Sequence, residues 1–200
     1  MQKKIISIII FIFFAVTLKA GKEKIHPAIK SALIPGFGES SLSRPSQSRF
    51  FKLLELTLWS TCIGFYKFSK HEKLQYQSYA AKYAGTNIEE KNHKYWVDIG
   101  NYLSLEQHNA EHLRWRQIND IYEAEYYWKW KSKGHMAKFE EMRIRSDKLS
   151  KYGEYTLGII TLNHIVSSIN SLYLSKVSDN LKLHSSFQEN NIELQLLFKF

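Results

Sequence analysis

Cysteine and proline are the scarce residues of this 200-residue chain. A single cysteine, Cys62, excludes an intrachain disulfide and with it the stapled scaffolds of small secreted proteins. Lying in an apolar stretch, it reads as a buried, inert thiol. The three prolines, Pro27, Pro35 and Pro45, all fall in the first quarter of the chain, so nothing beyond them interrupts a long helix. Gly-rich phosphate loops, CxxC pairs and Ser/His/Asp triads are absent, as are internal repeats and low-complexity tracts. No catalytic constellation stands out, and the chain reads as a non-enzyme that needs no cofactor.

What is present begins with MQKKIISIIIFIFFAVTLKA. Lys3 and Lys4 supply a positive start, Ile5 to Leu18 an apolar run, and Ala20 a small residue at the cut, which predicts a signal peptide over residues 1–20. The formal charge is +9, of which Lys3, Lys4 and Lys19 belong to the leader. The remaining basic residues are interspersed with acidic ones, a poor footprint for nucleic acid, which export also disfavours. About 180 residues are left, enough for one sizeable core.

Residues 21–48 hold all three prolines, Gly36, Gly38 and many serines, and read as an irregular segment. A short apolar piece, Ala28 to Ile34, should stop at Pro35-Gly36-Phe37-Gly38, because proline drives the preceding residue out of helical geometry and glycine permits positive φ. The stretch 50–68 (FFKLLELTLWSTCIGFYKF) is long enough to cross a bilayer, with Lys52 snorkelling and Glu55 about 8 Å along the axis from Phe50, near an interface. Thr57, Ser60, Thr61 and Gly64 form a small-residue seam suited to close helix packing in lipid. Residues 70–152 are polar with a helical pattern. Capping boxes at Thr86–Glu89 and Ser104–Gln107, and glycines at 100 and 134 where helices should end, predict helices over about 70–84, 87–99, 105–133 and 135–150. The run 155–175 is uncharged and forms a second membrane candidate over 154–175. Its Leu162, Ile165, Val166, Ile169 and Leu172 share one face, while Asn163, His164, Ser167, Ser168, Asn170 and Ser171 share the other. The tail 176–200 ends in a period-two pattern that predicts a short strand.

Three groupings could carry more than structure. His108-Asn109-Ala110-Glu111-His112 matches the inverted zinc-peptidase spacing, with Glu189 a conceivable third ligand, although an exposed polar turn of helix has the same composition. His164, beside Asn163 and Asn170, reads either as a proton-responsive or ligand-binding group in a membrane or as a hydrogen bond across a helix pair. The run Tyr126 to Lys131 reads as bundle packing or as an interfacial aromatic belt.

The stretch AIKSALIPGFGESSLSRPSQSRFFKLLEL resembles a family of uncharacterised bacterial envelope proteins, marked by an apolar segment running into Pro-Gly-x-Gly-Gln, a short loop and a hydrophobic helix with a Glu-Leu. Pro35, Gly36, Gly38 and Glu55 fit that pattern. Glu39 replaces the usual glutamine, and Ser41 stands where an aromatic residue is common. WKWKS at 128–132, MRIRSDK at 142–148 and NHIVSSINSLYL at 163–174 are also similar. The resemblance implies a membrane-associated helical domain of unknown function and brings no reaction or cofactor with it.

Together these readings predict a mainly α helical bundle in the cell envelope, with two apolar membrane helices at 50–68 and 154–175, a polar helical region at 70–152 between them and a short C-terminal strand. Its partners would be membrane lipid and another envelope protein, in the inner or the outer membrane. The motif to watch is Pro35, Gly36, Gly38, Glu55, Asn163, His164 and Asn170. The competing readings are a soluble periplasmic helical binding module and a zinc-dependent hydrolase.

Overall fold

The computed structural model describes residues 25–188 and 191–198; the expected leader, Glu189 and the chain's last two residues lie outside them. The described chain is mainly helical: α1 Pro27–Leu33, α2 Phe37–Ser41, α3 Pro45–Ala84, α4 His93–Asn101, α5 Leu105–Arg114 and α6 Lys133–Asn180. Strands β1 Leu181–Gln188 and β2 Asn191–Phe198 pair antiparallel, with Leu183 opposite Leu196. The described residues divide into two compact units, one of those up to Trp59 together with those from Leu157 onward, the other of Ser60–Thr156.

In the first unit, part of the segment read as irregular is helical. Pro27 opens α1 where its missing N–H costs nothing, and the His26 ring accepts from Ala28 N at 3.2 Å. Ile34 leaves the helix in an extended conformation, as a residue before proline must, and Gly36 turns the chain at φ 88°. Ser48 Oγ closes the turn by donating to Gly36 O at 2.8 Å.

The second unit has an aromatic core. Tyr76, Ala80 and Ala84 of α3 meet Tyr95, Trp96 and Ile99 of α4, with Leu105, Trp128, Trp130 and Phe139 completing the cluster. The rings meet edge to face, Tyr76 with Phe139 at 5.4 Å and Tyr95 with Trp128 at 5.6 Å. Such pairs contribute about 0.5–1.5 kcal/mol each beyond area burial. Ser104 caps α5 by accepting from Gln107 N, and the Gln107 side chain returns to Leu103 N at 3.0 Å.

Several expectations are corrected here. Among the described residues one helix, not two, is apolar enough to cross a membrane: α6, whose most apolar window has a mean hydropathy of 1.2 and is only 28% buried. Segment 50–68 fails because it carries Lys52, Glu55 and Lys67. Thr86 does not start a helix; α4 begins seven residues later under Asn92, whose side chain accepts from Tyr95 N at 2.9 Å. Gly134 lies in the first turn of α6 rather than at a helix end, and α6 continues through both 135–150 and 154–175. The helix expected over 105–133 stops at Arg114. Beyond it the chain runs extended at Trp128–Trp130, where Lys129 N donates to Ala84 O at 2.9 Å and Trp130 N to Leu103 O at 2.8 Å. That alternation buries Trp128 and Trp130 and leaves Lys129 outside. Trp128 and Trp130 are therefore core residues with Tyr126 packed against them, while Tyr127 is exposed.

Candidate functional site

The most unusual chemistry lies in the first unit, where α1, α2 and the start of α3 meet the end of α6. Glu39 is fully buried, and hydrogen-bond donors surround its carboxylate. Ser31 Oγ donates to Oε2 at 2.6 Å, Asn170 Nδ2 to Oε1 at 3.0 Å, and Ser167 Oγ lies 3.0 and 3.2 Å from the two oxygens. The serines are held in turn by the glycine turn. Gly36 N donates to Ser167 Oγ and Gly38 N to Ser31 Oγ, each at 2.9 Å. Ser31 is thereby fully used: its hydrogen goes to Glu39, and its lone pairs take Gly38 N and Ser171 Oγ. Two backbone amides thus orient two hydroxyls onto one carboxylate. That relay explains how a carboxylate is buried without a cation beside it.

Gly38 is required by space rather than by φ. A Cβ there would collide with Pro27 O, Ser31 Oγ and Ser171 Oγ. Gly36 needs both: its φ is positive, and a Cβ would strike Ser48 O.

A second cluster adjoins this one within the unit. Glu55 accepts from Trp59 Nε1 at 2.6 Å and from Asn163 Nδ2 at 2.8 Å, and its Oε1 lies 3.1 Å from His164 Nε2. The other ring nitrogen of His164 reaches Ala32 O at 2.8 Å. Asn163 Oδ1 is buried without a partner. The structure thus gathers Pro35, Gly36, Gly38, Glu55, Asn163, His164 and Asn170 in one unit, and it adds Ser31, Glu39, Ser48, Ser167 and Ser171.

Of these, Ser167 and Ser171 were legible only as part of a polar stripe at three- and four-residue spacing on α6. Thr57 Oγ1 turns back to Leu53 O, and nothing lies within 4 Å of a Cβ placed on Gly64, so the expected seam is not the packing surface. The stripe on α6 instead receives α1, the glycine turn and Glu55. A residue pattern shows that a face is polar, but not which segment will cover it.

In the second unit the His-x-x-Glu-His stretch is not an exposed turn. His108 is fully buried among Tyr102, Tyr122 and Trp128. Its Nε2 has no hydrogen-bond partner and lies 3.7 Å from Asp98, while His112 Nδ1 turns to Gln117 Oε1 at 2.7 Å. Burial pushes the His108 imidazole below its ordinary value, with the Asn109 hydrogen bond opposing. Asp98 also takes Lys94 at 2.8 Å and Tyr122 OH at 2.6 Å. Burial and that carboxylate raise the Tyr122 phenol; burial lowers Lys94, but its bonds to Asp98 and Asp120 raise it overall. Among the described residues no three His, Cys, Asp or Glu side chains converge on a point that could hold a metal ion.

Comparison with protein-family models, with curated proteins and with solved structures finds no match to this chain.

Proposed function

We propose that this chain is a membrane-associated protein of the cell envelope, with its first unit seated in lipid and a structural or interaction role rather than a catalytic one. The observation that carries this reading is the inversion of the first unit. Its buried positions are largely polar: Ser31, Glu39, Ser48, Asn163, Ser167, Ser171 and Ser175. Along the start of α3 and residues 157–173 of α6 the exposed positions are mainly apolar, Leu53, Leu56 (65% exposed), Leu162, Ile165, Val166 and Ile169 (61% exposed) among them, whereas the exposed polar positions, such as Ser43, Arg44, Gln47 and Arg49, gather between α2 and α3 and at the first turn of α3. Water favours the reverse, as the aromatic core of the second unit illustrates. In hydrocarbon the order inverts, because lipid accepts apolar faces freely and polar groups must find partners inside the protein.

The start of α3 enters such an environment as a companion of α6, not as an independent span. Asn163 of α6 donates to Glu55 and, at 3.5 Å, to Phe51 O, so these positions share one depth. Membrane lipid and another envelope protein are the partners this surface fits. The resemblance carried by Pro35, Gly36, Gly38 and Glu55 agrees with the same reading.

An alkaline carbonate wash of membranes from cells expressing the untagged chain tests it. Retention in the pellet is expected. Release into the supernatant would favour the second reading, a soluble helical binding module. For that reading, the observation is an open groove of about 620 Å³ in the second unit, lined by His71, Leu74, Tyr79, Lys82, Tyr83 and Met142.

A further inference from the structure

We propose that a cavity in the second unit, between α3 and α6, binds a small oxyanion that also carries a hydroxyl, a phosphorylated polyol such as glycerol phosphate. The inference goes beyond the membrane reading. Every lining residue lies within Ser60–Thr156, so the site stands whatever surrounds the first unit.

The cavity encloses about 430 Å³, a volume typical of small-molecule sites. Helical spacing puts Ser69, Lys73 and Tyr76 on one face of α3, and Ser146, Asp147 and Ser150 on one face of α6. The two walls are pinned together. Ser69 Oγ donates to Ser146 O and Ser146 Oγ to Ser69 O, each at 2.9 Å. Walls held in this way do not have to be ordered when a ligand enters.

Tyr76 forms the floor. It is 1% exposed, and its ring meets Trp96 and Phe139 edge to face at 5.7 and 5.4 Å. Its hydroxyl nevertheless makes no hydrogen bond among the described residues. Buried hydroxyls as a rule have partners, so one that lines a cavity without any is a donor left for what enters. Burial and the nearby Asp147 carboxylate push the phenol up to about 12, with Arg143 opposing, so the donor hydrogen is present at neutral pH. The Ser150 hydroxyl, also unpartnered among the described residues, lines the same space.

The ion pairs decide the charge of the ligand. Arg143 is engaged by Glu140 and Asp147, and Lys151 by Glu154 at 2.8 Å. Lys73 has no ion pair among the described residues, which leaves a cation of the lining uncompensated and favours an anion. Asp147 decides the hydroxyl. Its Oδ2 takes Arg143 Nη1 at 2.7 Å and lies 3.8 Å from His93 Nε2, while Oδ1 makes no hydrogen bond among the described residues. A carboxylate oxygen accepts, so it favours a ligand O–H beside the anion. An amine would suit Asp147 but would meet Lys73.

The test is isothermal titration calorimetry of the full chain in dodecyl maltoside, with glycerol phosphate as the probe. Saturable binding is expected, and Lys73→Gln and Tyr76→Phe should each weaken it about tenfold through loss of one hydrogen bond to a charged group. Tyr76→Phe keeps the ring in the core and Lys73 is exposed, so both variants should keep the parent's circular dichroism. Methyl phosphate, which has the anion without the polyol, should bind more weakly; equal affinity would overturn the role of Asp147. Absence of saturation by glycerol phosphate overturns the site. So does an equal loss in Lys82→Gln, a lysine of the separate open groove, because it would mean unspecific charge attraction. Dihexanoyl phosphatidylglycerol, titrated in parallel, separates the sources of this chemistry. Tighter binding that is again weakened by Lys73→Gln assigns the cavity to a lipid headgroup, and weaker binding assigns it to a free solute. None of these readouts depends on carbonate extraction, so this site and the membrane reading can fail separately.

Discussion

Ser31 Oγ and Ser171 Oγ lie 2.7 Å apart, joining α1 to α6 across 140 positions of sequence. The contact exists because Gly38, between them, has no side chain. Replacing Gly38 by alanine puts a methyl group against Pro27 O and both hydroxyls, and the backbone carbonyl cannot swing away. Gly38→Ala should therefore destabilise the first unit by about 1–3 kcal/mol. Thermal unfolding followed by circular dichroism in detergent checks this, and a midpoint equal to the parent's would mean the turn is not enclosed.

Gly64 supplies the contrast. It sits in the interior of α3 with nothing within 4 Å of a Cβ. Gly64→Ala should raise stability by about 0.5–1 kcal/mol, because alanine lowers the conformational entropy of the unfolded chain without meeting a neighbour. A loss of stability in the same experiment would point to a packing role at that position.

Ser167 serves two masters, accepting from Gly36 N and donating to Glu39. Ser167→Ala orphans a buried amide and removes one donor from a buried carboxylate, at a cost of about 1–3 kcal/mol. Ser168, whose Oγ donates to Ala28 O at 3.0 Å, is half-buried, so Ser168→Ala should cost visibly less. Equal midpoints for the two variants would argue against the relay.

The second unit should lose stability in mild acid through His108. Burial holds its folded value below the ordinary 6.5. As pH falls from 6.5 towards that lower value, the unfolded chain takes up a proton that the folded chain refuses, so stability drops across this window and is intact above it. Denaturant midpoints at pH 8 and pH 5 should differ less in His108→Gln than in the parent chain. An unchanged difference would assign the acid sensitivity to other groups.

Two buried indoles offer a cleaner comparison. Trp130 Nε1 donates to Ile99 O at 2.6 Å, whereas Trp96 Nε1 is buried with no partner. Phenylalanine at either position leaves a similar void, but only at Trp130 does it orphan a carbonyl. Trp130→Phe should cost about 1 kcal/mol more than Trp96→Phe in denaturant unfolding.

Local structure was legible where one residue's chemistry decides it. The extended Ile34 before Pro35, the positive φ at Gly36 and the Ser104–Gln107 capping box follow from sterics and from hydrogen bonds a few residues long. Thr86 misled because its hydroxyl bonds the Tyr95 phenol instead of capping a helix. The break after Arg114 was hidden because residues 128–131 satisfy their backbone through Leu105, Ala84, Leu103 and Tyr83, partners that no local pattern names.

By itself, the sequence determined that the chain is mainly helical, that a proline–glycine turn precedes α3, and that one face of residues 163–171 is polar. These depend on backbone sterics and periodicity, which act within a few residues. Tertiary structure alone decided that Glu39 would be the centre of the first unit, that Glu55 would meet His164, and that His108 would be buried. Each of those outcomes depends on which distant segment arrives to satisfy a donor or exclude solvent, and that choice is made by the whole chain's burial and hydrogen bonding rather than by any stretch of it.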